Sequence, residues 1–480
     1  MSIVRSLVGY APAVVLPRIV SLILVLVLTR LISKQEYGLV VLVATLGEAI
    51  DATFSNWTRV ALARFAAADP EHVGRETTRS LAVYGATLAP SILFVVAFTL
   101  ATRSERTIEF GVAILVYILA IGLLRFPSTI MAVQADRRGI VAMEAAKAVG
   151  VLIFGVAVTT ISESFFTQTM IFGAVTAAVG LWGAIRCARR IDVRSGPRVP
   201  LGTYLAYGLP IIPAQIVGSV LSSSDRLFLD HTVGAEAVAL YAAGVMLARQ
   251  PMEFIFSLAG VRVFPLLMED YERGGAAHGG RRLGELISGV VFITLPAAIG
   301  IVIVAEPMTE LLLARDYVET ATLIIPLAVI SAFLVGFKAF VLDQIFHMVK
   351  RNGLNAVISL PAAVVGVGAM VLLVPDRGVW GCALAYLIQY VFLVLLTLVV
   401  TRRLMPFAIP WGDIARTAAA TAVMAGVLLA VGTPLAVTPV WVQLVGSIVL
   451  GMVVYAAAAL VLRPSPVEDL VPARFRRDRR

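Results

Sequence analysis

The chain has 480 residues, of which 59% are hydrophobic and 14% charged, with a mean hydropathy of +0.93. This balance excludes a soluble globular enzyme, and two cysteines as distant as Cys187 and Cys382 exclude a disulfide framework or a thiolate metal centre. The net charge of +9 is divided among short loops between apolar runs, which excludes a nucleic-acid footprint and fits a positive-inside membrane protein.

Apolar runs recur from end to end, each long enough to cross a hydrocarbon core of about 30 Å at 1.5 Å per residue. Backbone groups in lipid must be satisfied within their own segment, so every run is predicted helical. The first, roughly 7–29, has no small-residue cleavage site followed by a polar mature region and reads as a span. It carries Pro12, Pro17 and Arg18. The second, 37–62, holds Glu48 and Asp51, three apart and hence on one face, and Arg59. Spans follow at 80–101 and at 108–134, the latter with Arg125. The span at 140–160 places Lys147 one turn from Glu144, a spacing that predicts an ion pair along the helix. After a sixth span, 166–185, the basic linker 186–201 marks a lobe boundary.

The seventh span, 202–227, carries Pro210 and Pro213 and has Asp225-Arg226 at its outer end. Proline removes a donor and kinks a helix, so both lead spans are predicted hinges, at Pro12, Pro17, Pro210 and Pro213. Then come 235–260 with Arg249 and Glu253, 284–305, 320–346 with Lys338 and Asp343, 354–374, 378–401, 413–432 and 440–462. Arg64, Arg262 and Arg416 fall near span ends, where snorkelling explains them. The predicted domains are therefore an N-lobe at 1–185, the linker 186–201, a C-lobe at 202–403, two extra spans within 404–463 and a basic tail at 464–480.

Fourteen spans put both termini on one side. With those termini inside, about 24 Lys and Arg fall in inward loops and tails against 6 in outward ones, and one span more or fewer would destroy the asymmetry. An internal repeat supports the lobe boundary. A shift of 196 lays Pro17 on Pro213, Arg30-Leu31 on Arg226-Leu227 and Gly38 on Gly234, and a shift of 214 lays Arg137 on Arg351 and Gly139 on Gly353.

Phosphate-loop and H-E-x-x-H motifs are absent, and no loop is long enough for a catalytic domain. The chain is read as a transporter rather than an enzyme, with no cofactor and H⁺ or Na⁺ as the candidate driving ion. Ionisable residues within spans cost about 2.5–3.5 kcal/mol each at a helix centre and normally face a cavity or a partner. Arg18, Arg59, Arg125, Arg226, Arg249 and Lys338 are therefore the candidate substrate-binding cations, suited to a diphosphate headgroup because guanidinium groups pair with phosphate oxygens. Glu48 and Asp51 either neutralise Arg18 or Arg59 or take up the coupling ion.

The strings L-T-R-L-I-S-K-Q-E-Y-G-L (Leu28–Leu39), A-L-A-R-F-A-A (Ala61–Ala67), Y-G-L-P-I-I-P (Tyr207–Pro213) and S-S-S-D-R-L-F-L (Ser222–Leu229) resemble recurring segments of the polysaccharide-transporter, repeat-unit flippase branch of the multidrug/oligosaccharidyl-lipid/polysaccharide exporter superfamily. The resemblance implies an all-α fold of two six-helix lobes in a V with two extra C-terminal helices. It also implies export of undecaprenyl-diphosphate-linked oligosaccharide repeat units for O-antigen, exopolysaccharide or capsule synthesis. Membrane lipids and the polysaccharide polymerase and chain-length machinery are the implied partners, in a bacterial inner membrane with cytoplasmic termini. Arg30, Tyr37, Gly38, Arg64, Pro210, Asp225 and Arg226 match the branch. A lipid II flippase and a multidrug cation antiporter are the alternatives within the superfamily; a polysaccharide polymerase or ligase is the alternative from another class.

Overall fold

A computed structural model describes residues 3–69, 73–102, 106–192, 194–196, 199–435 and 438–466, and these are helical apart from short connections. In chain order the helices are α1 (Ile3–Leu31), α2 (Lys34–Ala66), α3 (Gly74–Thr102), α4 (Thr107–Val133), α5 (Arg137–Thr159), α6 (Phe165–Ala188), α7 (Leu201–Thr232), α8 (Ala235–Ile303), α9 (Ala305–Leu312), α10 (Arg315–Met348), α11 (Gly353–Leu404), α12 (Trp411–Leu435) and α13 (Val440–Leu462). Eleven stretches among the described residues are long and apolar enough to cross a membrane. One of these, α11, has 52 residues and turns at Gly378 (φ 54°), a left-handed conformation that glycine adopts without a Cβ clash. It therefore serves two predicted spans. With α1 and the first part of α8, which turns at Gly275 (φ 65°), all fourteen predicted spans have a helix.

The chain forms two compact units, Met1–Ala242 and Ala243–Arg480. This division falls later than the linker at 186–201, because α7 packs on α2. Tyr204, fully buried, donates its hydroxyl to the Thr58 carbonyl at 2.6 Å. Gly208 lies flat against Trp57, where a Cβ would stand 2.1 Å from the indole.

The Leu28–Leu39 string has a structural use. Ser33 caps α2 by accepting from Glu36 N at 3.3 Å, and the Glu36 carboxylate binds Arg106 (2.5 Å) and Phe165 N (2.5 Å), tying the starts of α2, α4 and α6 together. Gly38 permits α2 to touch the start of α8, since a Cβ there would fall 1.8 Å from Ala235 O. Helices α4 and α6 meet as closely at Gly180, whose missing Cβ would lie 2.7 Å from the backbone of Leu123 and Leu124. Backbone cannot yield as a side chain can. Gly180→Ala is therefore expected to destabilise the first unit by about 1–3 kcal/mol, read as a lower unfolding temperature in detergent; an unchanged transition would refute the contact.

The internal repeat is visible in the turn that follows the fourth span of each half. Ala135 (φ 56°) and Lys350 (φ 57°) are both left-handed. Asp136 N bonds Met131 O at 2.8 Å, and Arg351 N bonds Phe346 O at 2.9 Å, the same six-residue closure. The two turns are equivalent at a shift of 215, one more than the 214 read from the sequence, so Arg351 corresponds to Asp136 rather than to Arg137. Asp136 caps α5 through Gly139 N (3.1 Å) and binds Arg186 (2.9 Å) and Arg190 (3.0 Å) from the end of α6. Burial alone would raise its pKa, but the Gly139 N–H and the two guanidinium groups prevail and hold the carboxyl below its usual range.

Candidate functional site

Two buried charge clusters begin at a π-helical segment. In α2 the segment is Asp51–Ser55, and in α10 it is Lys338–Leu342. A π turn closes from i to i+5, bringing residues five apart onto one face where an α-helix would splay them. Lys338 and Asp343 are five apart, and the ammonium donates to both carboxylate oxygens at 2.8 and 2.9 Å and to Asn355 Oδ1 at 2.7 Å. Asp51 and Arg59, one turn of each kind apart, form a two-pronged pair at 2.9 and 2.6 Å.

Arg59 is 5% exposed and Asp51 fully enclosed. Burying such a pair is tolerable only when remaining donors are satisfied, and Asn56 Oδ1 accepts a further bond from Arg59 at 3.2 Å. Arg125 reaches in from α4, giving one nitrogen to Asp51 at 2.6 Å and another to both oxygens of Glu48 at 2.8 Å. Tyr117 completes the set, its hydroxyl donating to Glu48 at 2.8 Å. Gly47 makes that approach possible, since a Cβ would stand 2.2 Å from the Tyr117 ring.

Two guanidinium groups and two carboxylates thus form one charge-balanced network, closed at the Asp51 end and open at the other, where Arg125 is 35% and Glu48 44% exposed. Arg59 and Lys338, both candidate substrate-binding cations, are buried with counter-ions, Asp51 and Asp343.

The other predicted residues lie apart from the network. Arg18 is half-buried in α1, a continuous helix through Pro12 and Pro17. In α7 the helix breaks at Leu209–Pro210 and resumes at Ile211, with Pro213 in the new first turn, where its missing N–H costs nothing. Arg226 donates to Ser222 O at 3.3 Å, and Asp225, buried, accepts from Tyr241 at 2.8 Å, which fixes α7 to the start of α8. Arg249 pairs with Glu253 along α8 and stays 40% exposed. Lys147 pairs with Glu144 at 3.2 Å, as its spacing predicts. Tyr117, Asn56 and Asn355 are the members that charge counting passes over.

A family model described as polysaccharide biosynthesis protein matches residues 27–322, and one described as lipid II flippase MurJ matches 207–452. No curated protein matches the sequence. Among solved structures, lipid II flippase MurJ in an inward closed conformation superposes with a TM-score of 0.72 at 13% identity, covering 95% of this chain and 99% of that one. A multidrug resistance MATE family transporter in an inward-facing conformation gives 0.64 at 14% identity, covering 81% and 94%. A transporter of the MOP superfamily from Pyrococcus furiosus gives 0.58 at 15%, covering 84% and 94%. At these identities the superpositions establish the fold, and the sequence models establish the kinship. The chain belongs to the polysaccharide biosynthesis protein family and, with its MurJ-like second half, to the multidrug/oligosaccharidyl-lipid/polysaccharide exporter superfamily of membrane transporters and flippases.

Proposed function

We propose that this transporter moves an oligosaccharide repeat unit carried on undecaprenyl diphosphate from the cytoplasmic to the periplasmic leaflet, for O-antigen, exopolysaccharide or capsule synthesis. The observation that carries the reading is Arg125, held by Asp51 through one nitrogen while its other terminal nitrogen, on a side chain 35% exposed, donates to both oxygens of Glu48. A phosphate offers that nitrogen equivalent charged oxygens. Glu48 is the occupant that a diphosphate would displace, and H⁺ or Na⁺ taken up by Glu48 would loosen its hold on Arg125. Asp51 and Arg59 keep the guanidinium in place through the exchange. Arg18, Arg226 and Arg249 are further candidate contacts, and the break at Pro210 is the candidate hinge. The assigned setting is the bacterial inner membrane with cytoplasmic termini, alongside the polymerase and chain-length proteins that would receive the product. Transport needs no catalytic residue.

The match of residues 207–452 to the lipid II flippase model favours a second reading, lipid II as substrate. Reconstitution decides between them. The protein in proteoliposomes is offered a labelled repeat-unit lipid or labelled lipid II, and movement is scored as access to a membrane-impermeant quencher under imposed H⁺ or Na⁺ gradients. Movement of the repeat-unit lipid is expected; movement of lipid II alone would replace the reading, and movement of neither would end it.

A further inference from the structure

The two equivalent turns differ in charge. In the first unit Asp136 stands between Arg186 and Arg190 at the end of α6. At the equivalent turn of the second unit Arg351 takes the aspartate's place, and the neighbouring helix end is that of α11, with Arg403. Tyr271, Lys350, Arg351 and Arg403 line one hollow of about 550 Å³ together with the apolar Met348, Val349 and Leu404. Among the described residues no acid lines it. Among the described residues no carboxylate pairs with Lys350, Arg351 or Arg403, which are all exposed. Where the first unit supplies its own counter-ion, the second leaves three cations converging without one.

We propose that this hollow binds the phosphate of an anionic phospholipid headgroup. The occupant follows from its place. The hollow lies where α10 ends at Met348 and α11 ends at Leu404, so it sits at headgroup depth, where the phosphates of the bilayer are the concentrated anions. Tyr271, half-buried at the rim, is the residue type that sits at such a surface, with its ring in the apolar zone and its hydroxyl in the polar one. The site is separate from the Arg125 network and stands or falls independently of what is transported.

The full-length protein in detergent is titrated with phosphatidylglycerol or phosphatidylcholine, and retained lipid is counted by native mass spectrometry. Phosphatidylglycerol is expected to bind with preference and to lose that preference as salt rises. Each cation near an anionic headgroup contributes about fivefold, so Lys350→Gln, Arg351→Gln and Arg403→Gln together are expected to weaken binding on the order of 100-fold. Arg351→Asp is the sharper variant, because it rebuilds the internal counter-ion of the first unit in a turn that already accommodates aspartate. It is expected to fold and to lose the preference. Equal retention of the two lipids by the wild type, or undiminished preference in Arg351→Asp, overturns the proposal. So does full displacement of phosphatidylglycerol by an equal concentration of inorganic phosphate, which would mark a free-anion site.

Discussion

Asp51→Asn is expected to cost about 3–5 kcal/mol of stability and to remove most of the folded protein recovered from the membrane. Asp51 is the only acid shared by two guanidinium groups in the network, with Arg59 at 2.6 Å and Arg125 at 2.6 Å, and it is fully enclosed. Removing its charge strands Arg59, 5% exposed, in a medium that cannot hydrate it. The amide also has to turn an N–H toward one of the two cations. Adding Arg59→Met to Asp51→Asn is expected to recover much of the loss, since a buried pair replaced by apolar bulk is often neutral, and Arg125 keeps Glu48 as its counter-ion. The check is the unfolding midpoint of the purified protein in detergent; an Asp51→Asn midpoint equal to the wild type's would mean that water reaches the cluster and that the enclosure described above is wrong.

Arg125→Ala is expected to leave the fold nearly intact while lowering translocation by on the order of 100-fold, the equivalent of two charge-assisted hydrogen bonds of about 1.5 kcal/mol each to a phosphate. The contrast with Asp51 follows from exposure. Without Arg125, Asp51 still has Arg59, and Glu48, 44% exposed, keeps Tyr117 and solvent, so neither acid is stranded and the stability lost is smaller than in Asp51→Asn. Arg125→Lys retains the charge and loses the planar group that reaches Asp51 and Glu48 at once, and an intermediate rate is expected. Glu48→Gln separates coupling from binding, because it keeps the shape of the site while abolishing the group proposed to take up the ion. Its translocation is expected to become insensitive to the imposed gradient. Full activity in Arg125→Ala would detach the network from transport altogether.

The span count was legible because hydrophobic length and loop charge are one-dimensional quantities, and both survive folding unchanged. The partnering of the charges was only partly legible. Lys147 with Glu144 obeys the ordinary helical spacing, and the pair forms. Lys338 with Asp343 does not, because five residues lie on one face only in a π turn, and no local signal announces one. Arg125 with Glu48 joins α2 to α4 across 77 residues, a distance at which sequence spacing carries no information. The uncharged members escaped for another reason: Tyr117 and Asn355 look like ordinary span residues until a carboxylate is placed beside them. A basic linker marks where the chain leaves the membrane, whereas the packing of α7 depends on where Tyr204 and Gly208 find Trp57.

The π turn in α2 also bears on how the protein is made. A helix bearing Glu48, Asp51 and Arg59 enters the bilayer long before α4 has been synthesised, and ionised residues at mid-depth oppose insertion. By folding Arg59 back on Asp51 within one helix, α2 carries its own neutralising partner through the insertion machinery. Glu48 alone then waits for Arg125, and being the more exposed of the two acids it is the one that water can attend in the interval.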